Sequence, residues 1–157
     1  MKIRNITFAA SVIAVAGLGI ATYAQMKPVS SRPTAVVYKT ASCGCCSMWV
    51  DHLKANGFQV ETKDVSSDEV RAVSKAAGLK DDGASCHTAK IGNYIVEGHV
   101  PASDIQKMLK EQPAIAGIAA PGMPMGSPGM DQGGAKEPYD VVAFTKDGKT
   151  SVYAKHK

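Results

Sequence analysis

The chain has 157 residues, 45% hydrophobic and 20% charged, with a formal net charge of +4 at pH 7. That length and balance suit one globular domain and exclude a wholly disordered, solvating chain. Lys and Arg are scattered and aromatic residues make up only 6% of the chain, so no interleaved basic-aromatic patch argues for nucleic acid as a partner.

Met1-Lys2-Ile3-Arg4 opens the chain, followed by an uncharged apolar run from Ile6 to Ile20 and then Ala21-Thr22-Tyr23-Ala24. A basic start, a short apolar core and small residues at the last and third-last positions predict a secretory signal peptide over 1–24, cut near Ala24. The apolar run of about 15 residues falls short of the roughly 20 that a spanning helix needs, so no stable membrane span is expected after processing. No acylatable cysteine follows the run and Arg4 stands without a second arginine, so neither a lipoprotein nor a twin-arginine route is expected. Residues 25–33 read as a polar, proline-containing leader, and 34–157 as a single domain.

Thr34 to Thr40 is β-branched and apolar and reads as a strand. Ala41-Ser42-Cys43-Gly44-Cys45-Cys46 follows as a cysteine-dense turn, and the apolar positions from Cys46 to Asn56 fit a helix stopped by Asn56-Gly57. Phe58 to Val65 alternates as a second strand, and Ser67-Asp68-Glu69 caps a second helix that ends at Gly78. Ser85–Ile91 and Tyr94–Val100, joined by Gly92-Asn93, read as a hairpin, and Pro101-Ala102-Ser103-Asp104 starts a third helix ending before Pro113. The order β-α-β-α-β-β-α predicts an α/β fold, a thioredoxin-like mixed sheet flanked by helices. Residues 113–138 are broken by glycine and proline and are expected to lack regular structure, while Tyr139–Phe144 and Thr150–Ala154 form a closing hairpin about Asp147-Gly148. His156 is read as a solvated residue of the tail.

Four cysteines in an exported chain suggest two structural disulfides. Against that reading, Cys43, Cys45 and Cys46 crowd together and only Cys86 is distant, so at most one long-range staple forms and the other bridge closes a tiny loop. Cys43-x-x-Cys46 has the spacing of a redox pair at a strand-to-helix junction, and Cys45 is a third sulfur that such a pair does not need. In a thioredoxin-like arrangement the loop entering the third strand lies beside the first helix's amino end. Ser85-Cys86-His87 then stands where a cis-proline usually faces the redox pair, so four sulfurs and an imidazole converge. Anionic sulfur suits Cu(I) or Zn(II) better than hard cations, and a helix amino terminus favours thiolate. Cys86 and His87 share an ion only if they lie in the loop, since a regular strand points successive side chains to opposite faces. Otherwise His87 packs in the core or hydrogen-bonds to a ligand. Met123, Met125 and Met130 are either gap-fillers under a long loop or thioether ligands for Cu(I).

Cys43-Gly44-Cys45-Cys46 with Trp49 and His52-Leu53, Gly57-Phe58, Ser85-Cys86-His87-Thr88, Val96-Glu97-Gly98-His99-Val100-Pro101, and Pro121-Gly122-Met123-Pro124 followed by Gly126-Ser127-Pro128-Gly129-Met130 together resemble the CopG-type periplasmic copper-resistance proteins. The resemblance runs from about residue 34 to 144 and rests on five motifs in order. It implies copper handling in the periplasm, beside copper-export or other copper-handling proteins, with Cys43, Cys45, Cys46, Cys86 and His87 as the copper site. Glu97, His99 and the methionine loop match family motifs of less defined role. Two functions follow. One is a copper-resistance protein holding Cu(I), with Cu(II) entering if the metal is redox-cycled and zinc the weaker fit. The other is an exported thiol-disulfide oxidoreductase using Cys43 and Cys46. Cys45 and Cys86-His87 favour copper, because a redox enzyme needs neither. No nucleophile-elbow pattern supports a hydrolase.

Overall fold

Along Ala35–Lys39 (β1) burial alternates, with Ala35, Val37 and Lys39 turned inward. The Lys39 ammonium is tolerated there because it reaches the Asp64 carboxylate at 2.8 Å and the Thr40 carbonyl at 3.3 Å. The computed structural model describes residues 33–131 and 133–157; the signal peptide expected over 1–24 and nearly all of the leader lie outside them. Among the described residues, no helix is long and apolar enough to cross a membrane.

After β1 come α1 (Gly44–Ala55), β2 (Val60–Asp64), α2 (Ser67–Ala76), a short 3-10 turn at Asp81–Gly83, β3 (His87–Ile91), β4 (Tyr94–Glu97) and α3 (Ala102–Glu111). The predicted β-α-β-α-β-β-α order is present. Helix α2 starts from Ser66, one residue before the expected cap, because Ser66 and Glu69 exchange reciprocal hydrogen bonds with each other's backbone N–H.

β1 pairs in parallel with β2 and antiparallel with β3, and β3 runs antiparallel to β4. Residues 113–138 correct the sequence reading. Gly117–Ala119 forms β5, parallel to β4, with Ile118 opposite Val96. All three of its residues are buried, and at Gly117 a side chain would collide with the Ile95 carbonyl, so glycine is what allows the strands to close. β5 then pairs antiparallel with β6 (Tyr139–Phe144), which pairs with β7 (Thr150–His156). The closing hairpin therefore belongs to one seven-stranded mixed sheet of order β2-β1-β3-β4-β5-β6-β7.

One side of the core joins Trp49 and Leu53 of α1 to Ile105 and Met108 of α3 against Val37, Ile91, Val96 and Ile118. A second cluster holds Leu79, Ile95, Ala119 and Phe144, with Val73 and Ala77 of the α2 region packed on it. Pairing of the last two strands also corrects His156. It lies opposite Tyr139 in the ladder, stacks on that ring at 4.8 Å between centroids, and its Nε2 is 2.7 Å from the buried Asp104 carboxylate.

Candidate metal centre

Cys43 is the N-cap of α1, in extended conformation, and no side chain caps the helix or places an acid in its first turn. The partial positive charge of that end is therefore offered to sulfur. Cys43 and Cys46 are joined by a disulfide, with Cα atoms 5.3 Å apart, while Cys45 and Cys86 are free thiols. Cys45 Sγ lies 3.6 Å from Cys43 Sγ and 4.0 Å from Cys86 Sγ, and the Cys86 carbonyl oxygen is 3.6 Å from Cys46 Sγ. All four sulfurs fall within 4.8 Å of one another. The staple reading would need a long-range disulfide to Cys86; the one formed spans only three positions and leaves Cys86 free.

Cys86 sits in the bend before β3 and His87 is the strand's first residue. Strict strand alternation does not constrain the pair, and His87 Nδ1 comes within 3.5 Å of Cys86 Sγ. His87 is fully buried, against the Trp49 ring at 4.4 Å and the His99 ring at 4.9 Å. Its Nε2 has no hydrogen-bond partner among the described residues. Burial, aided by the neighbouring His99, pushes its pKa down to about 3, so it is neutral at any ordinary pH.

His99 is the stronger imidazole candidate. Its Nε2 is 3.3 Å from Cys86 Sγ, and its Nδ1 donates to the Pro128 carbonyl at 2.8 Å. That bond places the proton on Nδ1 and leaves the Nε2 lone pair facing the sulfur. Burial also lowers its pKa. Cys86, His87 and His99 form a second group of donors within 4.8 Å of one another, sharing Cys86 with the sulfur group. The Cys86 thiol is pushed up to about 12, first by burial and then by the nearby Cys45.

Behind these donors, buried Glu97 accepts from the Ser85 N–H at 2.8 Å and from the Thr88 hydroxyl. Burial raises its pKa to about 7, against the lowering effect of those two bonds. This support escapes sequence reasoning because Ser85, Thr88 and Glu97 meet only through the β3–β4 register, which sets Thr88 opposite Glu97. The loop after β5 packs on the same site. Gly122 accepts from the Ser85 hydroxyl, and a Cβ on Gly129, at φ +84°, would lie 2.8 Å from both Cys45 O and Trp49 N. Met123 is 54% exposed, and Met125 and Met130 are half-buried.

Two solved structures of a copper resistance protein CopG, Form 1 and Form 2, are similar to this chain at 43% and 45% identity. Each covers 80% of this chain, which spans 98% and 99% of theirs, with a TM-score of 0.72. The chain belongs to the CopG family. The family model described as "Protein of unknown function, DUF411" matches residues 83–130, the stretch holding Cys86, His87, His99 and the methionine loop. No curated protein matches the chain. In this CopG-family chain the donor set suits a soft metal once the disulfide is reduced, since a disulfide sulfur carries no charge and is a poor ligand. Reduction converts two free thiols and a disulfide into four thiols beside two neutral imidazoles.

Proposed function

We propose that this chain is an exported copper-resistance protein that holds Cu(I) on Cys43, Cys45, Cys46 and Cys86, with His99 and His87 as nitrogen donors. The observation that carries the reading is the gathering of four cysteine sulfurs within 4.8 Å, two of them more than a redox pair requires. The CopG relationship supports copper over zinc. Binding displaces protons from the thiols, which for Cys86 means competing with a pKa of about 12; affinity therefore rises with pH. His99 presents a bare Nε2 and releases no proton. Cu(II) is the weaker fit to this set, because four sulfurs favour the soft Cu(I) ion. In this reading the signal peptide is removed near Ala24, the domain works in the periplasm, copper-export or other copper-handling proteins exchange metal with it, and the Met123, Met125 and Met130 loop is a weaker thioether entry segment.

The Cys43–Cys46 disulfide at the amino end of α1 supports a second reading, a thiol-disulfide oxidoreductase. Metal analysis of protein purified from its own compartment, followed by Cu(I) titration of reduced wild type and Cys45→Ser, separates the two. The copper reading expects co-purified copper and at least tenfold weaker binding in Cys45→Ser, since a thiolate donor to a soft ion is lost. Wild-type affinity in Cys45→Ser, with dithiol-disulfide activity intact, selects the oxidoreductase.

A further inference from the structure

Beside the sulfur cluster a cavity of about 230 Å³ is lined by Thr40, Ser67, Val70, Arg71, Ser85 and Cys86. Its chemistry is unlike that of the cluster it adjoins. Its lining brings Arg71 and three hydroxyl-bearing residues, Thr40, Ser67 and Ser85, together with Cys86, whose Sγ is 4.0 Å from that of Cys45. Among the described residues Arg71 is only weakly committed: its ion pair with Asp68 is 3.9 Å long, and the Asp68 side chain is 97% exposed. Glu69, the other acid of the first turn of α2, is folded back on Ser66. A ligand that satisfies both the cationic, hydroxyl-bearing groups and the thiol is small, anionic at one end and soft at the other.

We infer that this cavity binds small thiol carboxylates and that Cu(I) passes between them and the cluster there. The inference rests on the copper-binding reading above. Arg71 holds the carboxylate as a charge-assisted, bidentate hydrogen-bonding partner, which sets the ligand's sulfur against Cys86. Transfer is a ligand exchange. The Cu–S bond to Cys86 forms as the Cu–S bond to the small thiolate breaks, the Cys86 proton leaves with the departing thiol, and copper remains Cu(I) throughout.

The test compares reduced, copper-free wild type with Arg71→Ala and Arg71→Lys in stopped-flow uptake from two Cu(I) donors of matched size, the 3-mercaptopropionate complex and the cationic 2-mercaptoethylamine complex. Arg71→Ala should slow uptake from the mercaptopropionate complex roughly tenfold, the effect of one charge-assisted bond, and leave the mercaptoethylamine rate unchanged, with partial recovery in Arg71→Lys. Equal slowing from both donors, or none, overturns the cavity's role. A readout without copper accompanies it: 3-(methylthio)propionate, which binds but cannot exchange a thiol proton, should shift the Arg71 Nε–H resonance of the copper-free protein saturably. No shift also overturns the proposal. Wild type that takes copper from neither donor overturns the copper reading itself, and so is told apart from failure of the cavity.

Discussion

Glu97 and His87, on adjoining strands, drive the pH dependence of stability in opposite directions. Glu97 has its pKa raised from 4.5 to about 7, so the folded state holds a proton that the unfolded state has already lost. Its contribution is complete below pH 4.5 and is lost as pH rises through 7. His87 has its pKa lowered from 6.5 to about 3, so its contribution is complete above pH 6.5 and is lost as pH falls toward 3. Between pH 4.5 and 6.5 these two offset each other, which leaves the burial-lowered pKa of His99 to make copper-free wild type gain stability with rising pH. Glu97→Gln keeps an acceptor for the Ser85 N–H and offers an amide donor to Thr88, which removes one side of the balance. Urea unfolding of this variant should show stability rising from pH 5 to about 6.5 and then levelling, on the order of 2 kcal/mol above wild type at pH 8. A variant profile parallel to the wild type's would mean that Glu97 does not titrate in this window. The residue scale also shows what a sequence exposes. Cys43, Cys45 and Cys46 declare themselves by adjacency, whereas His99 comes within 3.3 Å of the Cys86 sulfur where Gly98, at φ +71°, turns the chain after β4.

At the scale of elements, the loop from Pro121 to Met130 behaves as a cover whose fit to α1 depends on Gly129. A side chain there would meet backbone on both sides, at Cys45 O and Trp49 N, and neither can move without unwinding the first turn of α1. Gly129→Ala should therefore lift the loop and break the His99–Pro128 bond, at a cost of about 1–3 kcal/mol in the copper-free protein. Loss of that bond frees the His99 ring to change tautomer, so Cu(I) should also leave faster to an external chelator. Unchanged stability together with unchanged release would show that the loop does not press on the site. Pro, Gly and Met made this region legible as irregular, and for residues 121–131 it is. The miss was β5. Ile115 to Ala120 is a continuous apolar run between two prolines, a pattern that fits a buried strand, but three residues of strand are too few for alternation to reveal them. Helices α1, α2 and α3 were legible because their stops are local: Asn56-Gly57, Gly78 and Pro113.

For the whole molecule, the β-α-β-α-β-β-α order could be read from the sequence because each step is a short-range signal, while the joining of the last hairpin to the same sheet depends on long-range pairing of β5 with β4 and β6. The proposed export step is checked by intact mass: material recovered outside the cytosol should begin at Gln25, and a full-length mass in the membrane fraction would refute cleavage near Ala24. The sheet also bears on whether the cysteines act as staples of the fold. A seven-stranded sheet with apolar clusters on its faces needs little help from a disulfide that closes a loop across a sequence separation of three. By chain entropy such a loop contributes only about 2 kcal/mol, against the larger values of long loops. Reducing the copper-free protein should therefore lower Tm by roughly 5–10 °C and leave it cooperatively folded. Cu(I) should then raise Tm above that of the oxidised form, because a ligand present at about a thousand times its Kd adds about 4 kcal/mol. Calorimetry of the oxidised, reduced and reduced-plus-Cu(I) states reads all three values. A reduced protein that has lost its cooperative transition would make Cys43–Cys46 a staple of the fold, and a Cu(I) state no more stable than the reduced one would remove the four sulfurs from consideration as a metal site.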